Sequence, residues 1–143
     1  MRPTPSRDRW VAAQRSRPLH VALGISGDDV GEGFARYRVE AVESGAAVDG
    51  TVSNLALTTA VDVALVTAVS TLIEDGREAM NGTAEMNITY VAKPRGTVTV
   101  EGRVLHKGTR LAVITVEVRD ESGALVATGR GTYSIRPAAR VGS

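Results

Sequence analysis

Ser53–Glu74 reads SNLALTTAVDVALVTAVSTLIE, and the fold turns on how it is read. It holds neither Gly nor Pro, and Asp62 is its only charge before Glu74. Ser53 is a good N-cap because its hydroxyl can accept from an unpaired amide of the first turn. Gly76 lies just past the end, where a helix stop is favoured. About twenty residues between those signals make a helix of roughly 30 Å. Its apolar and small residues go all the way round, so the expected helix needs cover on nearly every side. Lipid suits the length, but Thr58, Thr59, Thr67, Ser70 and Thr71 dilute the hydrophobicity, and a mid-span Asp is costly in hydrocarbon. The reading is therefore the central helix of a soluble domain, with Asp62 a buried carboxylate.

The chain of 143 residues suits one domain with a real core. It is 43% hydrophobic but 3% aromatic, so Val, Ala, Leu and Ile must fill that core. Formal net charge is +1, which gives no reason to expect nucleic acid. The distribution is uneven: residues 1–18 carry five Arg against Asp8, Arg136 and Arg140 add two positive charges, and residues 19–135 are net −5. The absence of cysteine excludes disulfides, zinc–thiolate sites and a thiol nucleophile, and fits a cytoplasmic protein. No apolar run of signal-peptide type follows the Arg-rich start, so residues 1–18 read as a basic tail and short helix.

Along the chain, Trp10–Arg17 reads as a short helix ending before Pro18. His20–Ile25 is a short apolar run, and Gly27-Asp28-Asp29 reads as a turn. Phe34–Val42 alternates as a strand, and Ser44–Val52 is a loop into the long helix. Asp75–Gly82 is polar and ends on the turn dipeptide Asn81-Gly82. Four strand-like runs follow: Thr83–Val91, Gly96–His106, Leu111–Arg119 and Ala124–Ile135. Their connectors, Lys93-Pro94-Arg95, Lys107-Gly108-Thr109 and Asp120-Glu121-Ser122-Gly123, are short, so the expectation is hairpins and an antiparallel meander. Strands with one apolar helix among them predict an α+β domain over 19–137, its sheet curled round the helix, with 138–143 a C-terminal tail.

At this point the residues become recognisable. GTV at 50–52, the helix with its single Asp, TAEMNITYVAK at 83–93, RVLHKGTRLAV at 103–113 and GALVATGRGT at 123–132 occur in this order. Together they resemble the hotdog-fold acyl-CoA thioesterases, closest to the phenylacetate-degradation branch and the thioesterase-superfamily-member proteins. The resemblance implies a curled antiparallel sheet wrapped round one central helix. It also implies hydrolysis of an acyl thioester to free acid and thiol, with coenzyme A as part of the substrate and no separate cofactor. Asp62 takes the place of the family's general base or nucleophile, and Thr83 that of the hydroxyl residue that supports it. The His-Gly-Gly segment, whose backbone amide polarises the carbonyl, aligns with Ser53-Asn54-Leu55, which makes the Asn54 amide the implied donor. A carbonyl-holding Asn of the family falls on Ala47, and a late-strand His falls on Gly131.

Residue physics can be set beside that resemblance. Asp62 could be satisfied structurally by Thr58 or Thr59, one turn back. As a base it would be desolvated, and an uncompensated carboxylate in a core is costly enough to favour a functional reason. Asn54 and Asp62 are eight residues apart, about 12 Å along one helix, so they cannot address one carbonyl within one chain. If both act, two chains pair about a two-fold axis. The resemblance implies the same homodimer, with dimers paired again into tetramers. Lys93, Arg95, Arg103, His106, Lys107, Arg110 and Arg130 are either edge-strand charges or contacts for the phosphates of coenzyme A. Lys107, Arg110 and Arg130 are the chosen phosphate contacts, beside Ser53 and Leu55 at the substrate. His20 and His106 are not in ligand spacing, so no metal site is argued. The rival to hydrolysis is a non-hydrolytic hotdog protein that binds acyl-CoA or another small apolar ligand, which the altered Ser53-Asn54-Leu55 segment favours.

Overall fold

Asn54–Ser70 forms the long helix, α2, with Ser53 as its N-cap. The Ser53 hydroxyl accepts from the Ala56 N–H at 3.1 Å and donates to the Gly45 carbonyl at 2.6 Å, which fixes how the preceding loop enters the helix. The computed structural model describes residues 17–139. Before α2 come α1 (Pro18–Leu23), β1 (Ile25–Gly31), β2 (Phe34–Val39) and a single 3-10 turn at Glu43–Gly45. After it come β3 (Glu78–Tyr90), β4 (Val98–Lys107), β5 (Leu111–Arg119) and β6 (Leu125–Pro137). The strands form one sheet in the order β1-β2-β4-β5-β6-β3, with every neighbouring pair antiparallel.

Two rows of side chains seat α2 on this sheet. Ala56, Ala60, Ala64 and Ala68 form one row at four-residue spacing, and Leu57, Val61, Leu65 and Val69 form the next; all eight are fully buried. They pack in one cluster with Tyr37, Val100, Ile114, Val116 and Val126 of the sheet. The alanine row lets the backbones come close. A Cβ built on Gly102 would lie 2.8 Å from the Ala64 carbonyl oxygen, so only glycine fits where β4 crosses the helix. At Gly131 a Cβ would run into the end of the Leu65 side chain, which would have to move to admit a larger residue.

The sheet covers one side of α2, not its whole circumference. Asn54, Leu55, Thr58, Thr59, Asp62, Val63, Val66, Thr67 and Ser70 are half-buried or exposed. This corrects the expectation of an enclosed rod with Asp62 buried in it: within one chain, Asp62 lies on the open side. The sequence misled because that side carries Leu55, Val63 and Val66, which erase the contrast between faces.

Other boundaries move for local reasons. Gly27-Asp28-Asp29 is an irregularity inside β1 and not a turn. β3 begins at Glu78 and absorbs Asn81-Gly82 as a second irregularity, between Met80 and Gly82. The expected four-strand meander holds only for β4, β5 and β6; β3 pairs with β6, so the segment from β3 to β4 is a crossover. Pro18 opens a helix at its first position and the apolar run is that helix, whereas the expected Trp10–Arg17 helix falls almost wholly outside the described residues. Residues 1–16 and 140–143 of the expected tails also lie outside them.

Tyr37 ties β2 to the helix, with its hydroxyl 2.8 Å from Thr67 Oγ1. Burial pushes the phenol up from 10.0 to about 12, against the opposing effects of that hydrogen bond and of the Arg17 charge. A phenol raised by folding stabilises the fold fully below its unfolded pKa of about 10. That contribution is lost as pH rises toward the folded value. Urea unfolding followed from pH 9 to 12 is expected to show stability falling across that window, with a shallower fall in Tyr37→Phe (pH range set by the ordinary phenol value of about 10). Gly102→Ala forces the Ala64 carbonyl and β4 apart and is expected to cost about 1–3 kcal/mol in the same measurement.

Candidate active site

The open side of α2 brings the sequence candidates into two groups. Asp62 Oδ1 accepts a 2.7 Å hydrogen bond from the Thr83 hydroxyl on β3. Thr58 and Thr59 do not serve the carboxylate. Their hydroxyls donate back to the carbonyls of Asn54 (2.7 Å) and Leu55 (3.0 Å). Asp62 therefore has Thr83 as partner, and beside it opens a cavity of about 440 Å³ lined by Val63, Val66, Met80 and Tyr133 together with the polar Arg17, His20, Thr67 and Ser70. Tyr133 is almost fully buried, and its phenol is raised first by burial and then by the Asp62 charge.

The second group lies at the start of the helix. Asn54 is the first helical residue and Leu55 the second, and Leu55 is 69% exposed. The first-turn amides of a helix have no intrahelical acceptor. Ser53 Oγ takes the Ala56 N–H, and among the described residues nothing accepts from the N–H of Asn54 or Leu55. A separate cavity of about 560 Å³ opens here, lined by Ala47, Asp49, Val52, Asn54, Tyr90, Lys93 and neighbours. It shares no lining residue with the cavity at Asp62. The helix is unbroken between the two groups, so the separation expected from the sequence stands.

The chosen cations lie apart from both cavities. Lys107 is bonded to both Glu78 oxygens, at 2.9 and 2.8 Å, and so is occupied by an acid of its own chain. Burial acts to raise the Glu78 carboxyl, yet the Lys107 and backbone hydrogen bonds hold it below the usual range. Arg110 is exposed in the β4–β5 turn, and Arg130 is exposed on β6 opposite Thr115 and Asn87. Lys93, not among the chosen three, reaches Asp49 at 3.0 Å on the rim of the helix-start cavity.

Sequence reasoning missed Tyr90, Tyr133 and Met80. Tyr90 closes β3 and contacts the Thr58 hydroxyl, and it lies 3.3 Å from the Asn54 carbonyl. Thr83 and Tyr90 are an odd number of residues apart, which in a regular strand would set them on opposite faces. A bulge between Thr83 and Glu85 restores the parity, so both reach α2. No sequence signal marks that bulge. The ring and hydroxyl of Tyr90, at the end of an alternating run, were the available clue.

A curled antiparallel sheet of six strands on one long helix, with the helix carboxylate meeting a hydroxyl of the next strand, defines a hotdog-fold domain. The Thioesterase superfamily profile matches residues 49–127, and the chain belongs to that family. A Saccharolobus solfataricus protein named "Putative esterase" is 32% identical over 117 residues, covering 79% of this chain and 74% of that protein. Among solved structures, a conserved Pseudomonas aeruginosa protein is 28% identical, with a TM-score of 0.75, covering 92% of this chain and all of the other. Zebra fish thioesterase superfamily member 2 is 25% identical, with a TM-score of 0.74 and coverage of 88% and 93%. A Haemophilus influenzae thioesterase reaches a TM-score of 0.85 at 17% identity, covering 99% and 97%, and speaks to the fold alone. Among the described residues no helix is long and apolar enough to cross a membrane.

Proposed function

We propose that this chain is an acyl-CoA thioesterase, working as a homodimer in which two chains complete each site. Family membership and the esterase relative support a thioesterase-type hydrolase. The observation that carries the mechanism is Asp62 on the open side of α2, hydrogen-bonded to Thr83 and flanked by a cavity of about 440 Å³. A carboxylate so placed can take a proton from water or attack the thioester carbon directly. The Thr83 hydroxyl holds it in position. The acyl group fits the cavity between Val63, Val66, Met80 and Tyr133; water attack followed by thiolate departure gives the free acid and coenzyme A directly, whereas attack by Asp62 expels the thiolate to leave an acyl anhydride on Asp62 that water then hydrolyses to the free acid.

The carbonyl oxygen needs a donor on its far side as negative charge develops. The unpaired amides at the helix start are of the right kind but too far along the same helix, so a second copy supplies them. Two features support that pairing. The outer edge of β3 has no partner strand among the described residues, and the open side of α2 carries Leu55, Val63 and Val66 next to it. An unpaired edge beside an apolar face favours association. Pairing of dimers into tetramers remains part of the same proposal, as does a cytoplasmic location.

The binding-only reading keeps one specific observation: Leu55 puts an exposed side chain where the family carries glycine. A thiol-release assay over short, medium and aryl acyl-CoAs separates the two, because a binder gives thermal stabilisation without release. Asp62→Asn is expected to keep the fold and lower turnover by about 10²–10⁴-fold, the usual contribution of a positioned proton acceptor. Wild-type turnover in that variant would end the mechanism. Sedimentation at micromolar concentration is expected to show a dimer or tetramer, and a stable monomer would end the shared-site reading.

A further inference from the structure

The cavity beside Asp62 has two chemically different ends, set out by the order of residues along α2. Asp62 comes first, Val63 and Val66 follow, and Thr67 and Ser70 close the row; all five line the cavity. Thr67 lies about 7.5 Å and Ser70 about 12 Å beyond Asp62 along the helix axis. Thr83 fixes the Asp62 end, because it bonds the carboxylate and sits opposite Tyr133 in the β3–β6 register. Tyr37 fixes the far end, with its hydroxyl 2.8 Å from Thr67 Oγ1. His20 of α1 is buried edge-on to the Tyr37 ring, with centroids 6.3 Å apart, and so seats α1 beside Thr67.

Arg17, the residue before α1, lines the same cavity, and its charge reaches the Tyr37 phenol. Its main chain is held, since the Arg17 carbonyl accepts from the Val21 N–H at 3.0 Å. Its side chain caps nothing, and no ion pair among the described residues uses it. Ser70 Oγ spends its proton on the Thr67 carbonyl at 2.6 Å, so Arg17 is the charged donor at this end. A thioester carbonyl placed at Asp62 lays its acyl chain past Val63 and Val66 and ends near Thr67 and Arg17. A methyl terminus gains nothing from a guanidinium there, whereas a carboxylate can accept two parallel hydrogen bonds from it. Charge also sets the direction of binding. An anionic tail is drawn to Arg17 and repelled by Asp62, which leaves the thioester at the acid.

We propose that the acyl group carries a carboxylate at its far end, so that the substrate is the monothioester of a short dicarboxylic acid, and that Arg17 selects it. This rests on the thioesterase reading. Water added across the thioester C–S bond then gives the diacid and coenzyme A.

The test compares adipyl-CoA, its ω-methyl ester and hexanoyl-CoA, which differ only at the tail. Wild-type kcat/KM from thiol release is expected to be about tenfold higher for adipyl-CoA than for the other two, the low end for a hydrogen bond to a charged group at an open site. Arg17→Gln is expected to lower kcat/KM for adipyl-CoA about tenfold, to the level of hexanoyl-CoA. Its melting temperature is expected to hold, because the side chain caps nothing. Arg17→Glu is expected to turn the preference toward ω-aminohexanoyl-CoA. Equal wild-type rates on the three thioesters, a preference for hexanoyl-CoA, or a preference for adipyl-CoA that survives in Arg17→Gln overturns the proposal. A loss in Arg17→Gln shared equally by all three, with weaker binding of free coenzyme A, assigns Arg17 to the carrier and overturns it as well. If no thioester releases thiol, the hydrolase reading fails by itself, and calorimetric binding decides this inference. Tighter binding of adipyl-CoA than of hexanoyl-CoA, lost in Arg17→Gln, sustains the carboxylate site; equal binding overturns it.

Discussion

The near contact of α2 with the middle of the sheet is the constraint on which the rest depends. Ala64 faces Gly102 with backbone almost against backbone, and Gly102 has no room for one more carbon atom. At that distance the flanking Leu57, Leu65 and Val69 reach the strands and fill the space beside the alanine row. The core therefore works with few aromatics, because closeness replaces bulk. The same closeness fixes how the helix is rotated. Once the alanine and leucine–valine rows face the sheet, Asp62 has to face away from it.

Much of this was legible in the sequence, and the failures have physical causes. The helix and its cap were readable because Ser53 and a Gly-free, Pro-free run are local signals. The strand Leu111–Arg119 was found to the residue because it alternates strictly. The rotation of α2 was not readable. Leu55, Val63 and Val66 are apolar on the open side, so pattern alone could not separate a face that meets the sheet from one left for another surface. The β3–β6 pairing was missed because Pro94 and Gly96 look like a tight turn, while the partner of β3 lies far along the chain. Asp62 was found because a lone charge stands out in an apolar run; its partner Thr83 came only through the family resemblance.

The two groups of the candidate site have different physical characters. At Asp62 the chemistry belongs to side chains, namely a carboxylate bonded to the Thr83 hydroxyl beside a cavity of mixed apolar and polar lining. At the helix start it belongs to the main chain, whose free amides arise from helix geometry and not from residue identity. An amide at the helix start is therefore available whichever residues occupy Ser53-Asn54-Leu55. Backbone donors survive substitution so long as the turn keeps its shape, and the Ser53 cap together with the Thr58 and Tyr90 hydroxyls keeps it.

The bulge after Thr83 lets two residues at an odd spacing share one face. Ala84 is the extra residue between positions that pair with Tyr133 and Thr132, and its own side chain plays no part in either group. What matters is that the strand absorbs it outside the pairing. A chain shortened by that single codon would leave Thr83 and Tyr90 six residues apart, an even spacing that a regular strand keeps on one face. The full-length strand drawn straight would instead turn Met86, Ile88 and Tyr90 away from Thr83, so that the carboxylate end and the amide end no longer shared one ribbon. A spacer with no chemistry of its own thus obliges this strand to keep its kink.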